Sequence, residues 1–148
     1  HGGNIAPVQA AFHDIHAAAS LRGGDAPALS LRLRSGWEYP AADALRRQLY
    51  GEREGIHATP SEIAIAMAAV PGARREAAAG PGWVRVPPEE LREMAGDRHV
   101  DAVRHRRRFP DGRIGSYPAQ ARADDGARLL AAAIEGARSD YRAFLAGD

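Results

Sequence analysis

Apolar residues recur at helical spacing over residues 5–19, where Ile5, Val8, Phe12, Ile15 and Ala19 fall three or four apart. This pattern predicts an amphipathic helix. Asn4 stands where an N-cap is wanted, and Pro7 fits the first turn, where a missing N–H costs little. Gly23 and Gly24 end the pattern. Over 28–34 the period changes. Leu29, Leu31 and Leu33 alternate with Ser30, Arg32 and Arg34, the spacing of a strand with one buried face. Loop, helix and strand in this order are half of a βαβ unit, whose leading strand is expected ahead of residue 1.

A short helix is expected over 39–50 from Ala42, Leu45 and Leu49, then a charged turn over 51–55. Thr59, Pro60 and Glu62 next form a helix-start signature: a hydroxyl cap, a proline at the first helical position and a carboxylate three residues after the cap. Ile63, Ile65, Met67 and Val70 follow among alanines, so this helix is expected to be buried. Residues 73–88 read as loop with a short extended piece at 83–86, and 88–95 as a helical turn. An edge strand is expected over 100–109, a turn at Pro110 to Gly112, and a tight loop over 115–118. The final helix carries Leu129, Leu130, Ala133, Ile134, Ala137, Tyr141, Phe144 and Leu145. The chain shows no internal repeat and no domain boundary in its pattern.

Composition narrows the chemistry. The chain has 148 residues, 45% of them hydrophobic and 26% charged, with a net charge of +1. A balance this close to neutral points to neither nucleic acid nor membrane as a partner. All its strongly basic residues are arginines, and with the abundant Ala and Gly this looks like coding bias, so the run Arg104 to Arg108 is read as an exposed or intersubunit strand. Without lysine there is no Schiff-base chemistry, and without cysteine no thiolate nucleophile, disulfide or Cys-based zinc site. Metal chemistry here must use His, Asp and Glu. No apolar run is long enough to span a membrane, and a cytoplasmic location is expected.

The candidate residues fall into a few groups. His1-Gly2-Gly3-Asn4 suits a loop in which imidazole is a ligand and glycine lets the backbone approach closely. His57 precedes the Thr59 helix start, and Glu62 lies within it. Trp37 follows the expected strand. His13 and His16, three apart on a helix but off its apolar stripe, read as a solvated face, and His99 and His105 as surface.

In this order, His1-Gly2-Gly3-Asn4, Trp37, His57-Ala58 with Glu62, and Gly112-Arg113-Ile114-Gly115-Ser116-Tyr117-Pro118 with Asp125-Gly126 resemble the creatininase (creatinine amidohydrolase) family over essentially the whole chain. Thr59 and Pro60 depart from the family's Gly and Glu, Ile63 and Ala64 from its Thr and Ser, and Ser116 and Tyr117 from its Asp. The family's Glu-x-His and following Asp belong to an earlier part of the domain.

The resemblance implies a three-layer α/β/α sandwich with a mostly parallel sheet. Residues 1–148 would be the C-terminal portion of a single such domain, with the N-terminal part missing. It also implies one or two divalent ions per site (Zn, Mn or Fe), whose bound water cleaves the C–N bond of a cyclic amide, formamide or small amide. His1 would bind metal, as against a terminal histidine without a role. Glu62 would bind metal or its water, as against serving only as a cap. His57 would orient the carbonyl or pass a proton to the leaving nitrogen, as against a structural histidine. Trp37 would close over a small planar substrate, as against a core or subunit contact, and Gly2, Gly3 and Asn4 would wall the substrate. A homo-oligomer is expected. The rival reading is a non-catalytic fragment or assembly module of the same fold.

Overall fold

The computed structural model describes residues 2–23, 28–70, 102–108, 110 and 116–147. Those residues form helices and connecting segments and no sheet. The chain divides into two compact units, His1–Ser35 and Gly36–Asp148.

In the first unit a 3-10 turn at Gly2–Asn4 runs into helix α1, Ile5–Leu21. Ile5, Val8, Phe12 and Ala19 are half-buried along one stripe, Ile15 and Leu21 are exposed, and no residue of α1 is buried. Asn4 does not cap this helix. It already has helical dihedrals and makes no side-chain cap bond. An N-cap side chain bonds the N–H of the second or third helical residue, and the third residue here is Pro7, which has none.

The described residues of the second unit form four α-helices. Helix α2, Pro40–Tyr50, starts on a proline, carries Asp43 in its first turn and stops at Gly51, whose φ of 52° few other residues accept. Helix α3, Pro60–Ala69, begins with the expected capping box at Thr59 and Glu62. Helix α4 spans Ala102–Arg108. Helix α5, Ala123–Ala146, is the longest, with Asp124 and Asp125 in its first turn. It ends at Gly147 in the left-handed region, whose N–H donates to the carbonyls of Ala143 and Phe144.

Helices α3 and α5 pack together most extensively, and α2 joins α5 from the other side of the chain's turn at Gly51–Arg53. The core is small-residue: Ala42, Tyr50, Ala64, Ala121 and Leu129 are buried, and Pro60 and Ser116 are fully enclosed. Glycine permits the two closest approaches. A Cβ on Gly126 would collide with the main chain of Ala64, and one on Gly136 would lie 2.5 Å from the Tyr39 ring. Helix α3 buries one face only, through Pro60, Ser61 and Ala64, rather than its whole circumference.

The three-layer sandwich expected above is therefore not the fold of the described residues. Two segments account for the difference. Residues 28–35 are neither helix nor strand despite their alternating leucines; a strand must exchange hydrogen bonds with a neighbour, and the described residues supply none. The edge strand expected over 100–109 is helix α4 instead, because arginine is a strong helix former and one histidine and one valine do not override it. The features expected over 73–99 lie outside the described residues, as does most of the turn after Pro110 and the first part of the 115–118 loop.

Candidate functional site

The segment from Glu54 to Glu62 gathers the chemistry of the second unit. Gly55 has a φ of 70° and Ala58 a φ of 50°. Glycine takes that region freely, whereas an L side chain there costs about 1–2 kcal/mol. The chain thus bends sharply on both sides of His57. The segment then enters α3 through the capping box. The Glu62 main-chain N–H donates to Thr59 Oγ1 at 3.1 Å, and the Thr59 N–H donates to Glu62 Oε2 at 3.0 Å. Thr59 Oγ1 also donates to the same Glu62 oxygen at 3.2 Å.

Beneath this turn lies a buried polar network that sequence reasoning did not single out. Ser61 Oγ donates to Glu54 Oε1, and Thr59 Oγ1 lies 2.9 Å from Ser61 Oγ. Glu54, Thr59 and Ser61 are all buried. Arg46 Nη1 stands 3.6 Å from Glu54 Oε1, while its Nη2 bonds Asp43 at 2.6 Å. Glu54 Oε2 and Arg46 Nε are enclosed without a hydrogen-bond partner. Burial pushes the Glu54 carboxyl above its ordinary range, against the opposing pull of Ser61 and Arg46. Asp43 shows the reverse case: hydrogen bonding from Arg46, then Arg47, holds its carboxyl low. The only hint of Glu54's role in the sequence is its place between charged neighbours and a glycine, which is also how an ordinary exposed turn reads.

Tyr50 closes the other side of this core. It is buried, and burial pushes its phenol up to about 12, with the charges of Asp125 and Glu54 adding to the effect. The Arg122 main chain opposes the shift without forming a complete hydrogen bond to the hydroxyl. Outside Tyr50 an open groove of ≈ 640 Å³ follows the end of α2, lined in part by Arg47, Glu52, Arg53, Arg122 and Asp125. Of the motif residues that carry the family resemblance, Asp125 lines it; His57, Glu62, Trp37 and Gly2 to Asn4 do not.

Those residues are distributed as follows. His57 is half-buried and is the only residue in β pairing among the described residues. Glu62 is exposed at the start of α3, and its side chain serves the cap. Trp37 is 41% exposed in the 3-10 turn Gly36–Glu38 that leads into α2. Gly2, Gly3 and Asn4 are exposed in the first turn of the other unit. His1 lies outside the described residues. The capping turn brings His57 and Glu62 into one short segment; the opening loop belongs to a separate unit.

A divalent ion needs several His or carboxylate donors at one point. Among the described residues no three His, Asp or Glu side chains meet in that way, and one oxygen of Glu62 is already engaged by Thr59. The described residues therefore do not hold a metal by themselves. Nor, among them, is any helix long and apolar enough to cross a membrane.

The family model described as creatinine amidohydrolase matches residues 1–139. No curated protein matches the chain.

Proposed function

The chain belongs to the creatinine amidohydrolase family, and on that premise we propose that it contributes the His57–Glu62 wall of a site that hydrolyses the C–N bond of a small cyclic amide or formamide. Hydrolysis is the chemistry of the family, and its members are generally metal-dependent. The observation that carries the reading is the family match over nearly the whole chain, which includes every residue singled out above. The structure adds a reason for the local geometry. A residue with positive φ directly after His57, followed directly by a capping box, fixes the course of the main chain beside His57. Strain retained against a cost of this size is commonly kept for function.

In this reading water attacks the amide carbon, the C–N bond breaks, and the nitrogen leaves with a proton. His57 orients the carbonyl or delivers that proton. Trp37 covers the planar face of the substrate. Glu62 is the proposed metal-facing residue of this segment, and the described residues do not by themselves make a complete donor set.

The test is a screen of creatinine, cyclic ureides, formamides and small amides with protein supplied with Zn, Mn or Fe, scored by release of amine or acid. Turnover of one class, reduced at least a hundredfold by His57→Ala with the fold intact, is the expected result. Turnover unchanged by His57→Ala overturns the role given to that residue, and no turnover with any class or metal overturns the activity.

A further inference from the structure

The groove outside Tyr50 is lined by described residues of the second unit, and none of them has a part in the hydrolysis proposed above. Three pieces of chain build it: the last turn of α2, the 3-10 turn Gly51–Arg53, and the entry to α5 over 120–125. These pieces are tied together. The Tyr117 N–H donates to the Arg53 carbonyl at 3.2 Å. The 3-10 turn Pro118–Gln120 then carries the chain to buried Ala121, just ahead of Arg122. The walls are therefore set by the fold itself, as those of small-molecule sites generally are.

The charges along the groove do not cancel. Arg47, Arg53 and Arg122 line it, with the carboxylates of Glu52 and Asp125. Arg47 is committed to Asp43, its Nε standing 2.8 Å from the carboxylate, and Asp125 lies 3.4 Å from Arg128. Arg53 and Arg122 are both exposed, and among the described residues neither pairs with a carboxylate. Two arginines are thus left against Glu52. A guanidinium is a planar fork of donors that matches two oxygens of a carboxylate or phosphate. Two such forks on separate, tethered pieces of chain can hold one oxyanion from two sides. The side-chain amides of Gln48 and Gln120 add donors to the same lining. A volume of ≈ 640 Å³ leaves room for the molecule that carries the anion. We propose that this groove binds a small molecule by its phosphate or carboxylate group, which Arg53 and Arg122 hold, with Gln48 and Gln120 as further donors.

Calorimetric titration of the full chain with inorganic phosphate, and separately with citrate, at one low ionic strength reads the two chemistries. Saturable binding of one anion per chain is expected. Tighter binding of phosphate supports a phosphorylated ligand, and tighter binding of citrate a carboxylate one. Arg53→Gln and Arg122→Gln should each weaken binding by roughly tenfold, the loss that follows removal of a charge-assisted hydrogen bond. Both variants should melt with wild type, since both side chains are exposed. Arg138 is an arginine outside the groove, so Arg138→Gln should bind as wild type does. Amide resonances of Gln48 and Gln120 should shift during the titration while those of α1 stay in place. Three results would each overturn the proposal: no saturable binding of either anion, binding that Arg53→Gln and Arg122→Gln leave unchanged, or an equal loss in Arg138→Gln.

Discussion

Gly126 of α5 lies so close to the main-chain carbonyl of Ala64 in α3 that there is no space between them for a methyl group. This contact sets the spacing of the two helices that make most of the second unit's core. Gly126→Ala should therefore destabilise the fold. Helix propensity favours the alanine by about 1 kcal/mol, but the methyl would strike backbone rather than a side chain that can turn away. Overpacking costs about 1–3 kcal/mol where side chains can adjust, so here the upper end of that range should win. A chemical denaturation midpoint clearly below wild type is expected, and a rise would show that the helices separate freely.

Ala58 is held at a φ of 50° between His57 and the cap residue Thr59. Ala58→Gly removes the clash of Cβ with the following carbonyl, worth about 1–2 kcal/mol, and returns some of it as unfolded-state entropy, about 0.4–1 kcal/mol. The net expectation is a stabilisation of about 0.5–1 kcal/mol, seen as a rise in the thermal midpoint. Ala58→Val, branched at the same strained position, should lower it by more than that. If Gly and Ala give equal stability, the bend at Ala58 is not strained and no longer supports a fixed His57.

Glu54 makes stability depend on pH in an unusual direction. Its folded-state carboxyl titrates above the ordinary value because it is buried. The protonated form is thus favoured by folding, and the stability it contributes is fully present below the unfolded value near 4.5. That contribution is lost as pH rises through the raised folded value. Other carboxylates, such as Asp43, behave oppositely, so the informative quantity is a difference. Glu54→Gln keeps an acceptor for Ser61 and removes the titration. Relative to this variant, wild type should become less stable as pH rises above 4.5. A constant difference across that range would place the Glu54 carboxyl at an ordinary value.

These three positions show what was legible in the sequence. The capping box was readable because all of its parts lie within four residues, and α1, α2 and α5 were readable because helical periodicity is local. The leucines at 29, 31 and 33 misled because period two only becomes a strand when a neighbour accepts the hydrogen bonds. Glu54 was hidden for the opposite reason. Its burial is made by Ser61 seven residues on and by Arg46 from another helix, and neither is visible from its own surroundings. Family likeness over 1–139 was legible in a few short motifs, yet a motif names residue types without fixing the elements that carry them.

Glu62 is where a structural and a chemical role compete for one side chain, and the two can be separated. The cap needs only an acceptor oxygen three residues after Thr59, so glutamine satisfies it as well as glutamate. A metal-facing role needs the negative charge. Glu62→Gln should keep wild-type stability, whereas Glu62→Ala should lose about 1 kcal/mol with the cap. If the carboxylate also serves the metal, the Gln variant should bind less metal and turn over more slowly than wild type while melting at the same temperature. Metal content by elemental analysis beside a melting curve distinguishes the cases. Full metal occupancy and turnover in the Gln variant would leave Glu62 with the cap alone, since nothing but charge separates it from glutamate in that position.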